Sequence, residues 1–274
     1  FYGLLCNYYI CFMICVFLVL QFILTNHKNI YKGAEDTLRF AGTSVLAAAM
    51  SAFLLIPAYI GLNTTASATR HYPEWEWYGN IWDMIKQMFV LTPPIKSQSF
   101  DGGVNLYCGT FAILLIGIYI FNTKIKWYEK LKNVILLVFL MMSFNNVLLN
   151  YIWHGFHDQY GIPNRFSFLF IFVLLTMGCE TVTKIDKDQV VGVVAGVIVA
   201  FGFLVYADKN MDLDRNIIIF TWVLFVVYSV VMLVISMLKG RGRFVVSLVM
   251  AILCLTEIVF GAAKGYESNG TVYI

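Results

Sequence analysis

Charge is scarce in this chain. Asp, Glu, Lys and Arg make up 13% of its 274 residues, against about 25% in a soluble domain. That shortage excludes an ordinary water-facing surface. Proline is rare too, with five residues, so long helices meet few interruptions. No run of Lys and Arg would track phosphates, and a net charge of +3 gives no ground for a nucleic-acid partner. No P-loop, GxGxxG, GxSxG or HExxH occurs, which argues against nucleotide hydrolysis. There is no CxxC either. Of the six cysteines, five lie inside apolar blocks and Cys108 begins one, so all six read as free thiols packed in the membrane. The chain opens at Phe1 with neither a basic stretch nor a small-residue cleavage site, so the start is no signal peptide. Both ends read as cuts through something longer.

Hydrocarbon is what the chain has instead. Apolar residues make up 60% of it and the mean hydropathy is +0.76. Eight apolar blocks can be marked, at 4–24, 40–62, 106–121, 134–152, 166–182, 190–207, 217–238 and 244–263. Each is near the roughly 20 residues that a helix needs to cross a bilayer. The alternating segments of a β-barrel are missing. Inside hydrocarbon a backbone must satisfy its own hydrogen bonds, so the blocks are expected to be helices. The expected fold is an all-α, polytopic transmembrane bundle of about eight helices, with residues 1–274 forming one transmembrane domain. In the sixth block Gly192 and Gly196 form GxxxG, a spacing that permits close helix packing.

Lys and Arg in the connections set the orientation. One alternate set of connections holds Lys28, Lys32, Arg39, Lys124, Lys126, Lys130, Lys132, Lys184, Lys187, Lys239, Arg241 and Arg243, which is 12 of the 19 basic residues. That set is assigned to the cytoplasm. Connection 63–105 then lies outside, as do 153–165, 208–216 and both chain ends. The long outer connection carries Arg70-His71-Tyr72-Pro73-Glu74-Trp75-Glu76-Trp77-Tyr78. After it, Ile81, Ile85, Met88 and Phe89 share a helical face, so a short interfacial helix is expected over 80–91. Thr92-Pro93-Pro94 ends it.

Polar residues within apolar blocks need a reason. Asn145 and Asn146 fall in the fourth block and read either as interhelical hydrogen bonders or as a site. Glu257, in the eighth, is a protonated or paired structural carboxylate, or part of a site. Glu180 sits beside Lys184 as a boundary pair. The densest group lies at the outer end of the fourth block: His154, His157, Asp158 and Arg165 within 12 residues. Two histidines three apart with one aspartate lack a committed metal geometry, so no metal is assigned. Imidazole suits acid–base or phosphate contact near neutral pH. Arg165 carries a fork that fits a lipid phosphate, unless it only anchors the interface.

Several stretches resemble the YfhO family of bacterial membrane proteins. They are Asn7-Tyr8-Tyr9-Ile10-Cys11-Phe12-Met13-Ile14-Cys15, Ser51-Ala52-Phe53-Leu54-Leu55-Ile56-Pro57, Tyr107-Cys108-Gly109, Trp153-His154-Gly155-Phe156-His157 and Pro163-Asn164-Arg165-Phe166-Ser167-Phe168. They follow the family's order over residues 1 to about 182. The resemblance implies a GT-C-type glycosyltransferase of Gram-positive envelopes. Such a protein moves a sugar from a polyprenyl-phosphate carrier to a cell-wall polymer, such as lipoteichoic acid, on the outer face. It implies no cofactor, and its acidic base would lie upstream of Phe1, leaving this piece inactive alone. The substrate-binding candidates are then Arg165, His154, His157, Asp158, Arg70, Trp75 and Trp77, with the lipid bilayer as surroundings. Two other readings stay open: a transporter or flippase for lipid-linked envelope precursors, and a non-catalytic envelope scaffold.

Overall fold

A helix stays continuous only while each carbonyl meets the amide four residues on, and four of the eight apolar blocks fail that condition part-way. The computed structural model describes residues 1–25, 30–62, 72–95, 103–157 and 164–268. Each apolar block is helical there, and no strand is formed among the described residues. The chain is an all-α bundle of membrane helices. The expected eight spans, however, divide into unbroken and broken ones. Among the described residues, four helices are long and apolar enough to cross a bilayer, or five if one bent pair counts as a single span.

The chain forms two units, one of residues 1–78 with 142–160 and one of 79–141 with 161–274. In the first unit, α1 (Tyr2–Cys6) gives way to α2 (Tyr8–Leu24) at Asn7. The extended backbone of Asn7 breaks the helix, and its side chain accepts from the Ile10 N–H to restart it. Next, α3 (Ile30–Met50) and α4 (Ala52–Leu62) meet at Ser51 with a bend of 73°. The Ser51 hydroxyl donates back to the Ala47 carbonyl at 2.9 Å, a competing bond of the kind that bends helices. Leu38, Val45, Phe53 and Ile60 are all exposed on this pair, as suits residues that face lipid.

The second unit holds α5 (Ile81–Lys86), α6 (Thr110–Phe121), most of α7 (Trp127–Asn145), α9 (Ser167–Lys184), α10 (Val190–Asn210), α11 (Arg215–Met237) and α12 (Gly240–Ser268). The helix expected over 80–91 is shorter, because Phe89 and Val90 turn into the core and Leu91 adopts a φ of 63°. Asn80 caps it by accepting from the Trp82 N–H. Phe89 then joins Leu114, Ile118, Val193, Leu204, Phe225 and Tyr228 in one buried cluster. Helix α6 has 12 residues, about 18 Å of rise. That is well short of the roughly 30 Å hydrocarbon layer.

Helices α6 and α10 approach backbone to backbone. A Cβ on Gly117 would lie 2.5 Å from the Gly196 carbonyl oxygen, and one on Gly196 would lie 2.5 Å from Ile118. Gly192 meets the Phe121 carbonyl in the same way. The GxxxG spacing thus brings α10 onto α6 with no side chain between them. The connections are tied as well. The Gln189 side chain accepts from the Thr123 N–H at 2.9 Å, and Lys124 pairs with Asp186. The hydrogen bond from Lys124 holds the Asp186 carboxyl below its ordinary range.

Gly196→Leu should separate α10 from α6 and lower stability by about 1–3 kcal/mol, the usual cost of overpacking. Gly202→Leu, at a position where an added Cβ would meet nothing within 4 Å, should change it little. Thermal unfolding in detergent compares the two; equal effects would contradict the backbone contact.

Candidate functional site

Two polar groupings stand out, and each sits where a helix is interrupted. The first lies in the first unit, where α7 stops at Asn145 and α8 (Val147–Trp153) begins. Asn146 is the N-cap of α8, its side-chain oxygen accepting from the Leu149 N–H at 3.0 Å. A strand-like strap fills the gap that remains. The Glu76 carbonyl accepts from the Val147 N–H at 3.0 Å and from Asn146 Nδ2 at 3.1 Å. The Tyr78 N–H donates to the Asn145 carbonyl at 2.8 Å. Trp77 and Asn146 form an antiparallel bridge.

The strap fixes a face of aromatics. In an extended chain residues two apart point the same way, so Trp75 and Trp77 share a side. Their rings meet edge to face, with centroids 5.9 Å apart and planes at 87°. They remain 54% and 50% exposed, and Glu74 and Glu76 are exposed beside them. Tyr72 packs edge-on against Tyr151.

Backbone geometry accounts for the Trp-His-Gly-Phe stretch. After α8, the Gly155 N–H bonds to the Ile152 carbonyl and the Phe156 N–H to the Tyr151 carbonyl. This is a Schellman ending, which places a left-handed residue just past the cap. Gly155 supplies it with φ of 73°. Phe156 also packs against Tyr151, edge to face at 6.1 Å. His154 is buried as the C-cap, with Nδ1 2.8 Å from the Asn150 carbonyl. The carbonyl can only accept, so Nδ1 carries the proton. His157 is partly buried, and its Nδ1 has no hydrogen-bond partner among the described residues.

The expected site residues are therefore distributed. Trp75, Trp77, His154 and His157 belong to the first unit, while Arg165 belongs to the second and is exposed ahead of α9. Arg70 and Asp158 lie outside the described residues. Beside Arg165, Asn164 has a φ of 49° and donates from Nδ2 to the Gly103 carbonyl at 2.9 Å. No three of His, Cys, Asp and Glu gather as metal ligands among the described residues.

The second grouping lies wholly in the second unit and centres on Glu257 of α12, 3% exposed. Residues 103–109 run without helix up to α6, and Gly109 turns the chain with a φ of 100°. The first amide of α6, on Thr110, donates to Glu257 Oε1 at 2.6 Å. The Tyr107 hydroxyl donates to the same oxygen at 2.8 Å. The Tyr228 hydroxyl donates to Oε2 at 2.6 Å. Thus one carboxylate takes three donors, at the helix end where the macrodipole favours negative charge. Thr110 Oγ1 is buried and has no partner among the described residues. Tyr107 and Lys264 border a cavity of about 310 Å³, and Glu257 borders another of about 380 Å³. The sequence flagged Glu257 by its charge within an apolar block, but its partners are 29, 147 and 150 residues away, and no local signal names them.

The family model for the bacterial membrane protein YfhO matches residues 1–269. The chain belongs to the YfhO family. It is a multi-pass bacterial membrane protein of that family, and the match takes in the last third of the chain as well as the motif-bearing part. No curated protein matches it, and no solved structure does.

Asn146→Ala should remove the cap of α8 and one of the two bonds to Glu76, loosening the strap at a cost of about 1 kcal/mol. Amide exchange at Tyr78 and Val147, whose N–H groups make the strap bonds, should then accelerate, with α10 amides unchanged. Unaltered strap exchange would mean that the bridge does not hold it.

Proposed function

We propose that this YfhO family member takes part in moving a sugar from a polyprenyl-phosphate carrier to a cell-wall polymer, such as lipoteichoic acid, on the extracytoplasmic face of the membrane. The observation that carries the reading is the Trp75–Trp77 pair, half exposed and held on a strap bonded into a helix break. Fixed aromatic faces give a sugar ring an apolar surface at little entropic cost, and nearby carboxylates accept from its hydroxyls. Glu74 and Glu76 alternate with the tryptophans along the strap and are exposed. The excess of Lys and Arg in the alternate connections supports an outward-facing strap. Arg165, exposed just ahead of α9, offers the planar fork that suits a carrier phosphate. The imidazole suited to proton or phosphate contact is that of His157, since His154 spends its Nδ1 proton on the Asn150 carbonyl. Asp158 and Arg70 complete the set on sequence grounds.

A second reading, translocation of a lipid-linked precursor, is favoured by one observation. A short helix opens beside a buried carboxylate after an extended approach, and discontinuous helices of this kind occur in transporters. It expects Glu257→Gln to stop movement of the carrier across the bilayer while strap variants leave it intact.

Transfer of a labelled sugar from the carrier, measured in membranes holding the native protein, tests the first reading. Trp75→Ala and Trp77→Ala should each lower kcat/KM about tenfold, equivalent to about 1.4 kcal/mol. Arg165→Ala should lower it further. Trp127→Ala removes a 73% exposed ring elsewhere and should have no effect. Undiminished transfer in the Trp75→Ala/Trp77→Ala double variant would reject the strap as the sugar platform.

A further inference from the structure

The cavity of about 380 Å³ in the second unit lies among α6, α9 and α12. That volume falls within the roughly 300–1,000 Å³ typical of small-molecule sites. Its walls include Phe111 and Leu115 of α6, Leu174 and Leu175 of α9, and Ile258 of α12. Leu175 and Ile258 are each 49% exposed, so the cavity opens sideways as a slot. Only 11% of the apolar window of α12 is buried, and for a membrane helix what lies beyond such a face is hydrocarbon. An occupant entering from that side has a long apolar body.

Glu257 decides what head such an occupant carries. A carboxylate oxygen offers two lone-pair directions. Oε1 uses both, on the Thr110 N–H and the Tyr107 hydroxyl. Oε2 takes one donor, the Tyr228 hydroxyl, and has room for one more. Gly109 borders the slot, and a Cβ there would lie 3.8 Å from Oε2. Glycine leaves that approach open. The head must therefore donate one hydrogen bond. An anionic head would meet a carboxylate in a low-dielectric place, where repulsion is strong. An ammonium would bring three donors and a full charge to one open lone pair, with most of its desolvation unmet. A hydroxyl brings a single donor and no charge.

We propose that this slot is a binding site for a single-chain lipid alcohol, its hydroxyl donating to Glu257 Oε2 and its chain lying along α6, α9 and α12. The inference goes beyond the transferase reading and does not rest on it. Binding would add a fourth donor to the carboxylate and cover the exposed wall of α9.

The chain's own cysteines report on occupancy. Cys179 is exposed on the slot wall, while Cys15 is exposed in the first unit. The purified protein in detergent is labelled with N-ethylmaleimide and followed by mass spectrometry at each cysteine. Dodecan-1-ol at about ten times its Kd should slow labelling of Cys179 about tenfold. Labelling of Cys15 should be unchanged. Ionised laurate and dodecane at the same concentration should protect less than about twofold, and Glu257→Leu, which removes the acceptor, should abolish protection by the alcohol. The comparison of the three ligands on the unaltered chain stands whether or not the variant folds. Equal protection by alcohol and laurate, protection of Cys15 alongside Cys179, or no protection by any of them would overturn the proposal.

Discussion

Hydrocarbon offers no partner to a backbone N–H or C=O, and each unmet group in it costs several kcal/mol. A membrane helix that stops part-way must therefore find donors and acceptors elsewhere in the protein. Glu257 meets that demand for α6. Its carboxylate takes the first amide of the helix together with two tyrosine hydroxyls, one from the approach to α6 and one from α11. Three elements distant in sequence, the 103–109 approach with α6, α11 and α12, are joined by one side chain. The short α6 can then lie at the centre of the unit, where Gly117 and Gly196 let α10 close on its backbone.

The same rule repeats on a smaller scale in the first unit. Asn7 ends one helix and restarts the next, Ser51 bonds back across the bend between α3 and α4, and Asn146 caps α8 while the strap's backbone fills the remaining gap. In that last case the solution also makes a surface. The bonds through Glu76 and Tyr78 fix the main chain, and Trp75 and Trp77 project from it in a set relation to each other. A rigid aromatic face is what recognition of a sugar requires, so packing and proposed function meet at the helix break.

Much of this was legible in the sequence. The eight apolar blocks and the all-α class follow from composition and spacing, while the GxxxG spacing at Gly192 and Gly196 only permitted the close approach that the structure shows. Where the blocks would break was not legible, because Asn7, Ser51 and Asn146 are ordinary polar residues whose effect depends on the bonds they find. Asn145 and Asn146 drew notice as intramembrane polar residues, yet their role depends on a strap almost 70 residues away. The Gly155 that follows Trp153-His154 does carry a local signal, since glycine just past a helix end marks a left-handed turn. Read that way, the motif supports the ending of α8 before any chemistry is assigned to His154. Glu257 announced itself by charge, but only tertiary structure supplies the tyrosines and the amide that hold it.

Hydrogen exchange at the start of α6 tests the central claim most directly. With Glu257 in place, the Thr110 amide should be strongly protected, as buried amides bonded to a carboxylate are. In Glu257→Leu, which leaves no acceptor there, the same amide should exchange markedly faster, while amides in the middle of α10 keep their rates. If Thr110 exchanges at the same rate in both proteins, the carboxylate does not hold the broken helix, and the account built on it is wrong.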